Sequence, residues 1–254
     1  MKENEKKGIS RREFLGLSAL GLASFTILPS WSINGIRIAP SDRVVLGFIG
    51  LGQQGLSDFT SFSNCPGVQV AAGCDVDSMK RERFARRIMA WQKKQGVAQR
   101  CDSYEFYEDM LERKDIDAIE VATPDHWHAL TTIHACQAGK DVYCQKPLAY
   151  TIAEGLAMVK AVRDNKRVCR WVARSSPHMQ NFIDCVRSRE NPIAPVEVGC
   201  STNTLCCLAN ISRELNRPVK WNPATLSFVD DKEAAAHRLY WYQYRNPYTL
   251  PYWK

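Results

Sequence analysis

The sequence lacks several features that would each define a class of protein. Its ten cysteines include no C-x-x-C pair and no set at metal-ligand spacing, which argues against a structural metal centre. Their density is below that of a disulfide-linked scaffold, so we expect most thiols to be reduced and buried. The chain has no internal repeat, no low-complexity run and no apolar stretch suited to a membrane span. These absences leave a globular protein with an ordinary hydrophobic core as the class to expect.

The net positive charge of the chain is also small once the first 40 residues are left out. The chain carries 34 basic and 27 acidic side chains, of which residues 1–40 hold six and three, leaving 28 against 24. That balance gives no case for nucleic-acid binding. The basic side chains of residues 81–94 alternate with Phe84 and Ile88 at helical spacing, which predicts the solvated face of an amphipathic helix.

The N-terminus has the pattern of a targeting segment. The run SRREFL (residues 10–15) is a twin-arginine pattern, preceded by lysines and followed by a mildly apolar stretch to Leu28. Twin-arginine signals are addresses read by a translocation machinery, so the sequence predicts export of a folded protein to the periplasm with that machinery as a partner. Without a clean A-x-A site, cleavage of this leader and its retention as an anchor both stay open.

Strand and helix patterns alternate regularly after residue 41. Predicted strands cover 44–49, 68–74, 99–101, 118–122, 141–145 and 168–173, and predicted helices start near Gly52 and cover 78–94, 105–113 and 126–138, with another from a capping box at Thr151 and Glu154. This alternation predicts an α/β fold, a doubly wound parallel sheet of the Rossmann type over residues 41–174. We expect residues 1–40 to be the signal and a linker.

The region from residue 175 to residue 254 has a different pattern. Helical segments over 179–187, 197–216 and 232–240 lead into a tail rich in tyrosine and tryptophan. We expect a truncated, mostly helical C-terminal part.

A glycine turn is the most specific signal in the chain. The apolar strand that ends at Ile49 runs directly into G-x-G-x-x-G. In this pattern the first glycine permits a tight turn, the second lets a pyrophosphate approach, and the third packs the helix against the strand. The helix start would offer unpaired N–H groups to the phosphates. The cofactor-binding candidates of this turn are Gly50, Gly52, Gln53, Gln54 and Gly55.

An acid, Asp75, ends the second apolar strand, twenty residues beyond Gly55. It can accept hydrogen bonds from the adenosine ribose, which favours NAD over NADP. A contact from Lys80 or Arg81 to a 2′-phosphate is a secondary alternative, because Asp75 would repel that phosphate.

Two further motifs follow predicted strands, at the sheet edge where doubly wound folds bind ligands. They are ATPDHWH (residues 122–128) and YCQKP (residues 143–147). With the glycine turn, they closely resemble the Gfo/Idh/MocA family, named for glucose–fructose oxidoreductase and inositol dehydrogenase. The twin-arginine start resembles that family's exported branch.

The resemblance implies hydride transfer between a carbohydrate or polyol hydroxyl carbon and NAD. Lys146 matches the lysine of the family's E-K-P motif, which implies that it polarises a substrate hydroxyl or shares its proton as the catalytic residue. Gln145 stands where the family usually has Glu, and Pro147 would hold the turn. The implied residues of the loop that lines the cofactor cleft are Thr123, Pro124, Asp125 and His128. Because His126 and His128 lack a third ligand at helical spacing, we expect no metal.

The resemblance is interrupted after the sixth predicted strand. Family members carry a second domain whose large sheet forms one wall of the substrate cleft, and that sheet has no counterpart here. We therefore expect residues 175–254 to be a remnant of that domain. The aromatic tail (residues 240–253) would dock on the nucleotide domain, pair with another copy of the chain in a homo-oligomer, or stay exposed.

Several functions stay open. The first is an NAD(P)-dependent oxidoreductase of sugars, polyols or glycosides, and a redox-neutral NAD-dependent glycosidase of the same family is its variant. A non-catalytic nucleotide-binding remnant is the second. A carbohydrate-binding module that uses the aromatic tail is the third, and it predicts sugar affinity that survives Gly52→Asp.

Overall fold

The computed structural model describes residues 31–33, 36–38, 42–171 and 177–252. The predicted twin-arginine leader lies outside this part, and so do residues 172–176, which include the last two residues of the sixth predicted strand. Two short strands, β1 (Trp31–Ile33) and β2 (Ile36–Ile38), pair antiparallel. Within the described ranges, no helix combines the length and the apolar character needed to cross a bilayer.

A six-stranded parallel sheet forms the centre of the fold. Its strands are β3 (Val44–Ile49), β4 (Val68–Cys74), β5 (Asp102–Tyr104), β6 (Ala118–Val121), β7 (Asp141–Cys144) and β8 (Cys169–Trp171). The spatial order is β5-β4-β3-β6-β7-β8, so the chain winds outward from β3 in both directions. This order is that of the Rossmann fold and confirms the predicted doubly wound sheet. The loops after β3 and β6 diverge at the switch point and leave a crevice there.

Helices cover both faces of the sheet, which is why its inner strands are almost continuously apolar. The helices are α1 (Gln53–Phe62), α2 (Ser78–Lys94), α3 (Tyr107–Leu111), α4 (Asp125–Gln137), α5 (Ile152–Asp164), α6 (His178–Ser188), α7 (Val196–Glu214) and α8 (Lys232–Ala235). Asp77 caps α2 by accepting from the backbone N–H of Met79 at 2.9 Å. The predicted capping box of Thr151 and Glu154 at the start of α5 is confirmed.

The position of β5 differs from the prediction of residues 99–101. The buried amide of Gln92 accepts from the backbone N–H of Arg100 at 2.7 Å and donates to the carbonyl of the same residue at 2.8 Å. Because these bonds use the main-chain groups that a sheet would need, pairing with β4 begins only at Asp102. The predicted helix over 105–113 is likewise shorter, since α3 covers Tyr107–Leu111.

The C-terminal part is helical, as predicted, although α8 ends at Ala235 instead of continuing to residue 240. Within residues 177–252, the strands are β9 (Trp221–Asn222) and β10 (Ser227–Phe228), which form a two-stranded antiparallel pair. The long helix α7 packs on α5, where a Cβ on Gly155 would lie 3.3 Å from Cys200 Sγ. All ten cysteines are free thiols, eight of them buried and only Cys206 exposed, which confirms the expectation for most of them.

The described part of the aromatic tail docks on the Rossmann domain of its own chain. Main-chain bonds from Ile152 N to Leu239 O (3.0 Å) and from Ala153 N to Tyr240 O (2.9 Å) fix its start to α5. The hydroxyls of Tyr242 and Tyr244 then donate to one carboxylate oxygen of Glu154. Of the three placements that the sequence left open, the structure shows the first.

Candidate cofactor-binding and active site

The glycine turn joins β3 to α1 at the switch point of the sheet. Gly50 has φ +92°, and a Cβ there would lie 2.5 Å from the carbonyl carbon of Ala122 in the neighbouring strand's loop. A Cβ on Gly55 would lie 2.2 Å from the carbonyl oxygen of Gly50, so the start of α1 packs directly on the turn. Gly52 differs, because its Cβ would meet no atom within 4 Å. A side chain at Gly50 or Gly55 would therefore clash with the protein (a closed position), whereas one at Gly52 would point into open space (an open position).

The start of α1 presents its main-chain N–H groups without a side-chain cap. Gly52 is the N-cap residue, and the first intrahelical bond runs from Leu56 N to Gly52 O at 3.1 Å. The side chains of Gln53 and Gln54 are exposed, so they leave this end of the helix accessible. An uncapped helix N-terminus beside an open glycine is suited to an anion such as a pyrophosphate.

Asp75 connects the ends of β3 and β4. One carboxylate oxygen accepts from Leu51 N at 2.9 Å, and the other accepts from Asp77 N at 3.0 Å. The Lys80 ammonium lies 3.8 Å from the carboxylate, whereas Arg81 donates to the carbonyl of Asp75 at 2.6 Å. The carboxylate thus fixes the glycine turn and keeps lone pairs for a ribose hydroxyl at the mouth of the crevice.

A cavity of about 310 Å³ opens beside Gly50 and Asp75, between the ends of β4 and β6. Two large apolar side chains at its rim are well exposed, Val76 at 78% and Phe106 at 58%. Its lining consists of Ile49, Gly50, Cys74, Asp75, Val76, Lys80, Glu105, Phe106, Tyr107, Glu108, Thr123, Pro124, Trp127, Thr131 and Tyr248. Four of the predicted site residues, Gly50, Asp75, Thr123 and Pro124, therefore line one cavity.

A larger cavity, of about 800 Å³, lies at the opposite edge of the sheet, where β3, β6 and β7 begin. Basic side chains such as Lys140 and Arg189 contribute to its lining, but Arg189 is already paired with the buried carboxylate of Asp141. Open α/β sheets bind ligands at the carboxyl ends of their strands. The smaller cavity is therefore the better candidate.

His128 connects the two motifs that follow β6 and β7. Its ring is 2% exposed, with Nε2 2.8 Å from the carbonyl of Thr123 and Nδ1 2.6 Å from the carbonyl of Pro147. Burial lowers the pKa of His128, and the two carbonyl contacts oppose that shift. Asp125, by contrast, starts α4 and accepts from the N–H of His126 at 3.0 Å. His128 is therefore a positioning residue, and Asp125 lies outside the lining of the cavity.

Gln145 belongs to a buried polar cluster below the crevice. Its amide donates to Asp58 Oδ2 at 2.7 Å, and Gln54 donates to Asp58 Oδ1 at 2.9 Å. Glu120, on β6, is fully buried beside Asp58, and burial followed by that nearby carboxyl raises the pKa of Glu120 well above its ordinary value. A protonated Glu120 can donate to Asp58, which is how two carboxyls share a buried site. The cluster links the helix of the glycine turn to the Q-K-P motif.

Lys146 follows Gln145, whose N–H donates to Val121 O at 3.0 Å and so continues the sheet past β7. Both Lys146 and Pro147 are exposed. The Lys146 ammonium has no hydrogen bond or ion pair to any described residue, whereas the main-chain N–H of Lys146 donates to Gln145 Oε1 at 3.2 Å. Its amine is thus available to a ligand at the carboxyl edge of the sheet.

Three residues of this region were missed by sequence reasoning. Asp58 and Glu120 sit among apolar neighbours, and an acid at a core position of a helix or strand is the signal that could have revealed them. Tyr248 comes from the tail and is more than a hundred residues away in sequence from the other residues that line the cavity, so no local sequence signal indicates its position. Among the described residues, no group of three or more potential metal ligands is found.

Comparison with known proteins agrees with this geometry. A family model described as the oxidoreductase family with an NAD-binding Rossmann fold, Gfo/Idh/MocA, matches residues 44–172. The model of that family's C-terminal α/β domain matches residues 157–250. The two matches together extend from the first strand of the parallel sheet to the aromatic tail.

Curated relatives carry glycosidase names. A glycosyl hydrolase family 109 protein of Shewanella pealeana is 28% identical over 261 residues, which cover 96% of this chain and 53% of the relative. An alpha-N-acetylgalactosaminidase of Shewanella oneidensis is 32% identical over 133 residues, covering 52% of this chain and 29% of that protein. The chain thus spans about half the length, or less, of these relatives.

Solved structures include dehydrogenases. A myo-inositol 2-dehydrogenase from Lactobacillus plantarum is 29% identical with a TM-score of 0.44, and the match covers 51% of this chain and 36% of that one. An NAD-binding protein from Listeria innocua is 28% identical with the same TM-score of 0.44, covering 51% and 35%. The family assignment rests on the model that matches residues 44–172, half of the chain. The chain belongs to the Gfo/Idh/MocA oxidoreductase family.

Proposed function

We propose that this protein binds NAD at the glycine turn and transfers hydride between the cofactor and the hydroxyl-bearing carbon of a sugar, polyol or glycoside. The observation that carries the proposal is the turn itself. It is closed at Gly50 and Gly55, open at Gly52, and tied to Asp75 by a 2.9 Å hydrogen bond. These residues fit a dinucleotide, because the open glycine and the uncapped helix N-terminus suit its pyrophosphate.

NAD is preferred to NADP in this proposal. The carboxylate of Asp75 is at the mouth of the crevice, with its side chain 10% exposed, where it can accept from ribose hydroxyls. A 2′-phosphate would bring negative charge against that carboxylate. Lys80, 3.8 Å from Asp75, is the nearby cation that would reduce this repulsion, so its replacement should weaken any residual NADP binding.

Lys146 is the proposed catalytic residue. The bound nicotinamide supplies the hydride acceptor or donor. The Lys146 amine, exposed and without a partner among the described side chains, would hydrogen bond the substrate hydroxyl and carry its proton. Gln145 and His128 position it, because Gln145 bonds to the buried Asp58 and His128 contacts the carbonyl of Pro147.

A second candidate is a redox-neutral, NAD-dependent glycosidase. It is favoured by the relative named glycosyl hydrolase family 109 protein, whose match extends over 96% of this chain. Both reactions would use the same cofactor site and the same lysine. Release of nitrophenol from an aryl α-N-acetylgalactosaminide without net change in NADH absorbance would support the glycosidase, whereas NADH formed in proportion to substrate would support the dehydrogenase.

Calorimetric titration of the full chain with NAD tests the shared part of the proposal. Wild type should bind, and Gly52→Asp should abolish binding, because a carboxylate there would oppose the pyrophosphate. Gly52→Ala controls for folding only, since its Cβ meets no protein atom within 4 Å and its Tm should match that of wild type. No heat with either NAD or NADP would overturn the proposal. Binding without turnover on any sugar would favour the non-catalytic alternative.

For the location of the protein we propose export by the twin-arginine pathway. The support is the sequence pattern around Arg11 and Arg12. A reporter fused behind residues 1–40 should reach the periplasm, and replacing both arginines with lysine should retain it in the cytoplasm. Equal export of the two fusions would contradict the proposal.

A further inference from the structure

The cavity beside Asp75 has one wall that does not belong to the Rossmann domain. Residues 49–131 supply every lining residue except Tyr248, which comes from the docked tail. The tail therefore contributes directly to the crevice at the carboxyl edge of the sheet.

Tyr248 is held in place by aromatic packing. Its ring centroid lies 5.0 Å from that of Trp127, with the two planes at 88°. On its other side, Trp127 meets the ring of Tyr107 at 6.5 Å, and the hydroxyl of Tyr107 is 2.8 Å from His134 Nδ1. The hydroxyl of Tyr248 lies 3.5 Å from Glu108. These contacts fix the ring at the cavity with little dependence on its own hydroxyl.

The tail is also anchored on both sides of Tyr248. Before it, Tyr242 and Tyr244 donate to Glu154, which is fully buried at the start of α5. After it, Leu250 and Tyr252 pack against the core, and the hydroxyl of Tyr252 accepts from Gln137 at 3.4 Å. The position of Tyr248 is thus set by the fold and is not that of a free terminus.

The chemistry of the cavity suits a flat, mostly apolar ring next to a ribose. Asp75 stands at one end, where the ribose hydroxyls of the proposed cofactor would bind. The exposed apolar side chains of Val76 and Phe106, at 78% and 58%, flank the opening. Exposed apolar side chains around a concave site are typical of a ligand-binding surface. The base attached to that ribose is adenine.

We infer that Tyr248, from the C-terminal tail, forms the outer wall of this cavity against the adenine base, which a dinucleotide bound at the switch point of a Rossmann fold places beside its ribose. This inference rests on the proposed function, since it assigns the adenosine half of the same site. It makes the C-terminal tail a part of the cofactor site, although the glycine turn and its acid lie in the Rossmann domain. Loss of a stacking aromatic ring weakens binding of a base by about 5- to 150-fold.

The test is calorimetry on the full chain with NAD, ADP-ribose and nicotinamide mononucleotide. Tyr248→Ala should weaken binding of NAD and ADP-ribose by about 5- to 150-fold and leave that of nicotinamide mononucleotide unchanged. Tyr248→Phe keeps the ring and should bind like wild type. Trp241→Ala is the matched control, because that tail aromatic is 43% exposed and lies outside the cavity lining. Thermal unfolding of each variant shows whether it is folded.

The outcomes separate this inference from the function on which it rests. Wild-type binding of NAD with equal affinity in folded Tyr248→Ala would overturn the role of the tail and leave the proposed function intact. Equal losses in Tyr248→Ala and Trp241→Ala would also overturn it, because the effect would then be general to the tail. Failure of the wild type to bind NAD or ADP-ribose would refute the proposed function itself.

Discussion

Replacing Gln145 with Glu tests the buried cluster below the crevice. The Gln145 amide, 4% exposed, donates to Asp58 at 2.7 Å. Gln145→Glu keeps the size of the side chain but replaces this donor with an acceptor. A third carboxyl would then lie beside Asp58 and the fully buried Glu120. Although the change creates the sequence that the wider family usually has, we expect it to destabilise this chain.

The magnitude follows from the lost bond and the added charge. A hydrogen bond to a charged group contributes about 1.5–3 kcal/mol. Leaving a buried charge without its partner costs about 3–5 kcal/mol. Because the new carboxyl can take up a proton and limit the second cost, we expect a loss of about 2–5 kcal/mol at neutral pH, or roughly 5–15 °C in Tm. Gln145→Leu, which removes the donor without adding charge, should lose only about 1–3 kcal/mol.

The pH dependence identifies the charge as the cause. Burial raises the pKa of an added carboxyl above its unfolded value, so the folded variant binds more protons than the unfolded chain. The stability of Gln145→Glu relative to wild type should therefore be highest near pH 5 and fall as the pH rises towards 8. The slope is at most about 1.4 kcal/mol per pH unit for one proton.

Urea unfolding of wild type, Gln145→Glu and Gln145→Leu at pH 5, 6.5 and 8 provides the measurement. Adding Glu120→Gln to Gln145→Glu should restore much of the stability, because it removes one of the three carboxyls. A deficit of Gln145→Glu that is the same at pH 5 and pH 8 would refute the reasoning. So would a failure of Glu120→Gln to rescue it.

Three further predictions concern the other parts of the site. Burial lowers the pKa of His128 below its unfolded value of 6.5, so the contribution of this residue to stability should be complete above pH 6.5 and be lost as the pH falls below it. In urea unfolding, His128→Phe should remove that pH dependence, whereas His126→Phe, at an exposed position, should leave it in place. Gly55→Ala should lower Tm far more than Gly52→Ala, because its Cβ would lie 2.2 Å from a carbonyl oxygen. Lys146→Ala should reduce kcat on any substrate turned over by about 100-fold or more while calorimetric NAD affinity stays within about threefold; unchanged kcat would remove Lys146 from catalysis.

The sheet and its turn could be predicted because local chemistry specifies them. Strands buried on both faces, such as β3 and β4, consist almost entirely of apolar residues, and the start of α5 is marked by the capping box of Thr151 and Glu154. The misplaced strand β5 shows the limit. It is a polar edge strand. Its first residue is determined by the side chain of Gln92, which lies on the helix α2.

The candidate site was predictable where it is built from turns and not where it is built from distant side chains. The glycine motif, Asp75 and the two loops after β6 and β7 follow directly from local patterns. The partners of Gln145 and the position of Tyr248 do not, because Asp58 lies 87 residues from Gln145 and Tyr248 lies 140 residues from Glu108. Contacts of that kind are selected by packing of the whole chain, for which a local window holds no information.

In the proposed site, the enclosed cavity and the proposed catalytic lysine lie at different places along the carboxyl edge of the sheet. Asp75, Trp127 and Tyr248 line the cavity proposed for adenosine, and the tail that carries Tyr248 is fixed to the buried Glu154. Lys146 follows β7, lies outside the lining of that cavity and is exposed. Affinity for the dinucleotide should therefore depend mainly on the enclosed cavity, and any chemistry depends on what meets Lys146. It follows that a binding-only protein and an enzyme would bind NAD equally well here, and that turnover, and not affinity, discriminates between them.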